Sequence, residues 1–326
     1  MNKIDIISGL HLYNGDSLEL YQLWDKPTVI MADGPYGVNG FRGDLKTPVG
    51  LAEWYEPHIA EWSKKATPQT TLWFWNTEIG WAVVHPILEK YGWIYRGCNV
   101  WDKGIKHIAG NCNGKTMRKF PVVTEVCVHY VRKEEFLHNG EILTLQNWLR
   151  QEWKRTGLSF SKANEACGVK NAASRKYLTA DHFWYCPPKE EFEKLVNYAN
   201  QYGKETGKPY FSTDGKVSLS GNQWSKLRAK FNFEYGVTNV WSVPQLRGQE
   251  RLKNGIKIQH PNQKPLDLMK RIINASSEKG DLIWEPFLGL ASGCVAAYLL
   301  DRNFVGAEIN PDYYHMAKER ILNAKT

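Results

Sequence analysis

The chain has 326 residues, 42% hydrophobic and 23% charged, the proportions of a folded globular protein rather than a disordered one. Lys and Arg outnumber Asp and Glu by 42 to 34, and the resulting +8 is compatible with a polyanionic partner without establishing one. The six cysteines lack a CxxC pair or zinc spacing, and no stretch reaches the roughly 18 apolar residues of a membrane span. Neither disulfides nor a metal site nor a membrane contact is expected, and the start MNKIDIISGLHLYNGD has no signal-peptide stretch, so a soluble cytoplasmic protein is expected.

In chain order, Leu10 to Tyr13 is a short apolar run that stops at Asn14-Gly15-Asp16. Thr28 to Ala32 is β-branched and apolar throughout, the mark of a strand buried on both faces. Thr70 to Trp75 is a second such strand, followed by a helical stretch from Ala82 to Leu88 and a strand-like one from Val122 to Val131. The C-terminal part repeats this grammar. Leu266 to Ile273 has helical spacing, Leu282 to Trp284 is a buried strand and Cys294 to Leu300 a helix. Phe304 to Ile309 is then a strand and Tyr313 to Ile321 the closing helix. Strands alternating with helices predict a mostly parallel α/β sheet. Between the two blocks the chain is helical and basic, which divides it into 1–140, an inserted module at 141–234, and 235–326.

Three segments concentrate polar chemistry at strand or helix ends. Asp33-Gly34-Pro35-Tyr36 follows the strand Thr28 to Ala32, at the carboxyl end where open α/β sheets bind ligands. A carboxylate beside a backbone carbonyl accepts both N–H bonds of an amino group, and Tyr36 offers a flat face for a planar ring. Glu285-Pro286-Phe287-Leu288-Gly289 also lies between a strand and a helix, where a glycine turn lets a ligand approach the backbone. Glu308, about twenty residues on, suits the two hydroxyls of a ribose. His260-Pro261-Asn262-Gln263-Lys264-Pro265 leads into the next helix. Each pattern alone also fits an ordinary turn between two elements.

Together, and in this order, these segments resemble the β-group of amino DNA methyltransferases, over nearly the whole length of the chain. That family is circularly permuted, with the catalytic motif first, target recognition next and the cofactor motifs last. The resemblance implies a Rossmann-like S-adenosylmethionine-dependent methyltransferase sheet with an inserted, mainly helical target-recognition domain. Asp33 to Tyr36 resembles the D/N/S-P-P-Y/F/W motif, which makes Asp33, Gly34, Pro35 and Tyr36 the catalytic candidates. Tyr36 would stack on an extruded base. His260, Lys264 and Pro265 match the HPxQKP motif at the methionine end of the cofactor pocket, after a lead-in at Trp241 to Arg251. Glu285, Phe287 and Gly289 resemble the DPFxGSG loop, Glu308 the ribose-holding acid, and Asp16 the acid that contacts the cofactor's adenine. The implied reaction transfers a methyl group from S-adenosylmethionine to N4 of cytosine or N6 of adenine in double-stranded DNA, and a cognate restriction endonuclease is a partner by the same inference.

Two departures stand out. Gly34 replaces the first proline of the catalytic motif, which predicts a looser site. Ala291 replaces a glycine of the cofactor loop and predicts a methyl group crowding the methionine end. Both leave open an alternative, a DNA-binding protein on an inactive methyltransferase scaffold. In the inserted module, Trp148 to Leu178 reads as a helix-turn-helix with helices at Leu149 to Arg155, from Ser159 through Ala166, and at Lys170 to Leu178. The last would present Lys170, Asn171, Ser174, Arg175 and Lys176 to base edges. Lys216, Lys226, Arg228 and Lys230 are expected at phosphates, and Phe183, Trp184 and Tyr185 in the core.

Overall fold

The computed structural model describes residues 3–7, 9–39, 44–108, 113–138, 140–246, 253–254, 257–258 and 263–324. The chain divides into two compact units, Met1–Arg132 with Ala229–Thr326, and Lys133–Arg228. The second begins and ends several residues before the 141 and 234 expected from composition.

The strands of the first unit are β1 (Lys3–Ile7), β2 (Leu10–Asn14), β3 (Val29–Ala32), β4 (Thr71–Asn76), β5 (Trp93–Asp102) and β6 (Thr124–Arg132). A hairpin, β7 (Glu135–His138) and β8 (Glu141–Thr144), belongs to the second unit, after which the first resumes with β9 (Val240–Ser242). A short pair, β10 (Lys253–Asn254) and β11 (Lys257–Ile258), precedes β12 (Leu282–Glu285) and β13 (Asn303–Glu308). One nine-stranded sheet runs β1-β2-β13-β12-β3-β4-β6-β5-β9. From β2 through β4 every pairing is parallel, and β6 runs antiparallel to both of its neighbours.

Alternation along the central strands explains the layers, because successive side chains leave a strand on opposite faces. Val29 and Met31 of β3, with Trp73 and Trp75 of β4, pack with α9 (Leu266–Ser276), α10 (Ser292–Leu299) and α11 (Pro311–Asn323). Ile30, Ala32, Leu72 and Phe74 point the other way, to α1 (Ser17–Leu20), α2 (Leu51–Lys65) and α3 (Glu78–Lys90). Helix α2 and strand β5 were not foreseen. Pro57 lies inside α2, and the register of β5 shifts between Tyr95 and Gly97, which breaks its alternation.

The second unit has its own core. It is built on α4 (Leu145–Arg155), α5 (Lys162–Ala166), α6 (Ala172–Tyr177), α7 (Lys189–Tyr202) and α8 (Gly221–Ser225). Phe192 of α7 stacks on Trp224 of α8 with centroids 4.3 Å apart, and Trp148 and Trp153 are fully buried beside them. Three helices occupy the segment where a helix-turn-helix was expected, the second and third shorter than the sequence suggested. Helix α5 starts at Lys162 without a side-chain cap, and α6 covers only Ala172–Tyr177. Phe183 and Tyr185, expected in the core, are 66% and 67% exposed, whereas Trp184 is half-buried and donates its Nε1 proton to the Tyr177 carbonyl. The described cysteines 98, 127, 167, 186 and 294 are free thiols. Among the described residues no helix is long and apolar enough to cross a membrane.

Glu152 organises this second core. It is 3% exposed, accepts from Arg155 Nε and Nη2 at 3.1 and 2.8 Å, and accepts from the Phe211 amide at 2.6 Å. Glu152→Ala strands a cation and a buried amide at once. We expect a loss of about 2 kcal/mol by denaturant titration, below the usual cost for a buried pair because Arg155 remains 30% exposed. A change under about 0.5 kcal/mol would show that Glu152 does not hold the core together.

Candidate active site

Four neighbouring parallel strands end at one cavity of about 490 Å³, lined by Asp16 beyond β2, Glu308 of β13, Glu285 of β12 and Asp33 beyond β3. The parallel pairing makes this inevitable, because it sets all four carboxyl ends at the same edge of the sheet. Lys264, just before α9, also reaches the cavity.

Asp33 sits in a buried charge cluster. Lys264 Nζ donates to Asp33 Oδ1 at 2.8 Å and to Tyr36 Oη at 3.0 Å, and lies 3.3 Å from Glu125 Oε2. Tyr36 Oη is 2.8 Å from Asp33 Oδ1 and 3.1 Å from Glu125 Oε2, so its one proton serves one carboxylate at a time. Lys103 closes the set with a contact to Glu125 Oε1. Burial raises the Asp33 carboxyl above the usual range for aspartate, against the pull of Lys264. Burial would raise Glu125 too, but Lys264 and Lys103 overcome it and hold that group low and ionised. Burial would likewise lower Lys264, yet Asp33 and Glu125 keep its ammonium group charged.

This arrangement alters the expected part of Tyr36. Its ring is 3% exposed, with the Lys264 ammonium 5.2 Å from its centroid, and so presents no open face for a base. What it brings to the site is its hydroxyl. Gly34 is also held more firmly than a lone glycine suggests. A Cβ at Gly34 would lie 2.6 Å from Tyr55 Oη and 2.8 Å from Phe287 Cδ2, so those two side chains fill the space a proline ring would need. The loop is pinned further by Tyr55 Oη and Asn76 Nδ2, which donate to the Pro35 carbonyl at 3.1 and 3.0 Å. Asp44 accepts from the amides of Tyr36, Gly37 and Val38.

At Glu285, burial pushes the carboxyl up to about 8, with the charge of Asp33 adding to it. Oε1 accepts weakly from the Gly293 amide at 3.3 Å, and Oε2 has no hydrogen-bond partner among the described residues. Glu308 Oε2 accepts from the Gly289 amide at 2.8 Å and Oε1 from the Asn310 amide at 2.9 Å, which fixes the carboxylate at the rim. Gly289 adopts φ +52°, a left-handed conformation that favours glycine. Asp16 accepts from the Leu18 amide at 2.9 Å. The apolar wall comes from α2 and the loop, where Trp54 stacks on His58 at 4.6 Å and Phe287 packs against both. Burial holds the His58 imidazole down at about 4, so it is neutral.

Of the residues singled out from sequence, Asp16, Asp33, Gly34, Pro35, Lys264, Glu285, Phe287, Gly289 and Glu308 all line this cavity. His260 lies outside the described residues. Pro265 is buried at the start of α9 and accepts from the Leu268 and Met269 amides, so it shapes the helix rather than the cavity wall. Ala291 is buried in the core at φ +58°, and its methyl group does not reach the cavity, contrary to expectation. Glu125, Lys103, Trp54 and His58 were missed, since no motif marks them.

In the second unit, Lys170, Asn171, Arg175, Lys176, Lys216 and Lys226 are exposed. Ser174 is not presented in the same way, because its amide and hydroxyl are both held by Asn164 at 3.0 and 2.9 Å. Arg228 is half-buried beside the Cys186 thiol. Lys230 belongs to the first unit and pairs with Glu278 and Asp281 at 3.0 and 3.4 Å, which withdraws it from the expected phosphate contacts.

A family model for N6/N4 methyltransferases, described as DNA methylase, matches residues 28–319. The chain belongs to this DNA methylase family. Type II methyltransferase M2.MboI of Moraxella bovis is 36% identical over 119 residues, 34% of this chain and 42% of that protein. DNA adenine methyltransferase YhdJ of Escherichia coli is 38% identical over 92 residues, 28% of this chain and 30% of that one. The matches thus span less than half the length of these curated relatives. Among solved structures, the M1.HpyAVI–SAM complex superposes with a TM-score of 0.52 at 17% identity, covering 95% of this chain and 98% of that one. The PvuII cytosine-N4-specific DNA methyltransferase gives 0.53 at 13% identity, covering 96% and 90%. At such identities the likeness is one of fold, a mixed α/β methyltransferase sheet.

Because Tyr55 and Phe287 occupy the space above Gly34, Gly34→Ala should cost about 1–3 kcal/mol in denaturant titrations. Full stability in the variant would show that the loop is loose after all.

Proposed function

We propose that this DNA methylase transfers a methyl group from S-adenosylmethionine to an exocyclic amino group in duplex DNA, N6 of adenine or N4 of cytosine. The observation that carries this reading is the joining of Asp33, Glu285 and Glu308 in one cavity, inside a chain that matches the family from residue 28 to 319. The residues present fit the cofactor. The cavity carries aromatic side chains along one wall, an acid fixed at its rim in Glu308, and in Glu285 Oε2 a buried oxygen with no hydrogen-bond partner among the described residues. Glu308 and Asp16 would hold its nucleoside part, and Glu285, Gly289 and Lys264 its methionine part. When bound, S-adenosylmethionine supplies an electrophilic methyl group on a sulfonium centre.

The protein's own contribution is orientation and proton handling. An exocyclic amino group is a poor nucleophile because its lone pair is delocalised into the ring. Asp33 Oδ2, which has no hydrogen bond among the described residues, accepts one N–H, and the Gly34 carbonyl is proposed to accept the other. That geometry draws the nitrogen toward a pyramidal form and aims its lone pair. The raised proton affinity of Asp33 suits it to take the proton that must leave the nitrogen. Holding both reactants in attack geometry contributes several kcal/mol, on the order of 7 or more. The target base reaches the pocket by extrusion from the duplex. The second unit is proposed to recognise the site, through exposed Asn171 and Arg175 at base edges and Lys170, Lys176, Lys226 and Arg228 at the backbone. A restriction endonuclease acting at the same sequence is a proposed partner. The inactive-scaffold alternative gains nothing from Gly34 or Ala291, since the first is packed by its neighbours and the second points into the core.

Two substitutions test the division of labour. Asp33→Ala should abolish methyl transfer to DNA and leave DNA affinity within about twofold, read by transfer of labelled methyl and by fluorescence anisotropy. Turnover near that of the wild type would remove Asp33 from the mechanism. Arg175→Ala should lower the preference for the methylated sequence by about 1–3 kcal/mol while nonspecific affinity changes little. Unchanged preference would take α6 out of recognition.

A further inference from the structure

Glu125 is the second residue of β6, placed opposite Trp101 of β5. Because β6 runs antiparallel to β4, its start lies at the same edge of the sheet as the ends of the parallel strands. The side chain is almost wholly buried. It touches neither the cavity nor Asp33 directly, and it joins Lys103 on one oxygen to Lys264 and Tyr36 on the other. Lys264 is also buried, with its ammonium 5.2 Å from both the Tyr36 and Trp75 ring centroids, so little solvent shares its charge.

We propose that Glu125 is a positioning residue for the amino-group receptor, dividing the Lys264 charge so that Asp33 is held by one oxygen and left open at the other. The geometry carries this. Among the described residues, both bonds to the Asp33 carboxylate, from Lys264 Nζ and Tyr36 Oη, fall on Oδ1. A lysine facing one aspartate alone in a dry site would pair with it fully and compete with an incoming amino group. With a second carboxylate 3.3 Å away, the same ammonium is shared. Lys103 then balances Glu125, and the cluster carries two positive and two negative charges. This inference rests on the reading of Asp33 as the group that receives the target amine.

The charges facing Asp33 are Lys264 from the α9 approach, Glu125 from β6 with Lys103 behind it, and Glu285 from β12, with the Tyr36 and Tyr55 hydroxyls nearby. The Glu125 charge helps to raise the proton affinity of Asp33, and Lys264 lowers it. Glu125→Gln removes the first influence and gives Asp33 a larger share of the second. The acid limb of the methylation rate, where Asp33 must be ionised, therefore moves to lower pH. Lys103→Gln acts in the opposite sense. It frees Glu125 to draw Lys264 away from Asp33, and the limb moves to higher pH.

The test is single-turnover methylation of DNA by the full chain across pH, with cofactor affinity measured by calorimetry as a check on folding. We expect Glu125→Gln to slow the step about tenfold or more, with cofactor affinity within about threefold of wild type. The acid limbs of the two variants should shift in opposite directions. If Glu125→Gln does not fold, Lys103→Gln alone still reports the predicted upward shift. Acid limbs that coincide with an active wild type would overturn the positioning role, whatever the loss in rate. A wild type that methylates no DNA at any pH would instead overturn the reading on which the proposal rests, and the proposal with it.

Discussion

The site depends on a crowding of carboxylates that the sheet itself imposes. Parallel pairing from β2 to β3 places Asp16, Glu308, Glu285 and Asp33 at the ends of adjacent strands, and the sheet spacing keeps them close. Four acids at one edge would repel each other if they were all ionised and unpaired. The protein settles each by a different means. Backbone amides hold Glu308, and an amide at the start of α1 holds Asp16. Glu285 stays largely protonated near neutral pH, and Lys264 pairs with Asp33. Acids with differing proton affinities at one cavity suit the proposed reaction, in which a cationic cofactor is held and a proton accepted at the same site.

Packing serves the same end. Tyr55 and Phe287 close over Gly34, Asn76 and Tyr55 tie down the Pro35 carbonyl, and Asp44 collects three amides of the turn. Proline stiffens such a motif from within by fixing φ. Here the neighbours stiffen it from outside. The departure from the family pattern and the bulky aromatics on α2 and β12's following loop are two halves of one packing solution.

Much of this was legible in the residues. Val29 to Ala32 and Leu282 to Trp284 are short and apolar, and each is followed at once by an acid and a Gly/Pro turn, so both the central strands and the acids at their ends could be read directly. Glu308 could be singled out because its spacing from the glycine loop is a property of the chain. Glu125 could not be found in that way. Its place in the site arises from the pairing of β6 with β4 and β5, and a lone glutamate at a strand start carries no local signal. Trp54 and His58 were hidden for a related reason, since Pro57 obscured the helix that presents them. The burial of Tyr36 and the inward turn of Ala291 are tertiary outcomes that residue type alone does not determine.

The central claim is the chemistry of the product. Purified protein incubated with S-adenosylmethionine and unmethylated mixed-sequence DNA, followed by mass spectrometry of the nucleosides, tests it most directly. An active enzyme yields a new peak of N6-methyladenine or N4-methylcytosine, and whichever appears identifies the base. DNA that is bound but yields no methylated nucleoside would contradict the account and leave a binding protein on a methyltransferase fold.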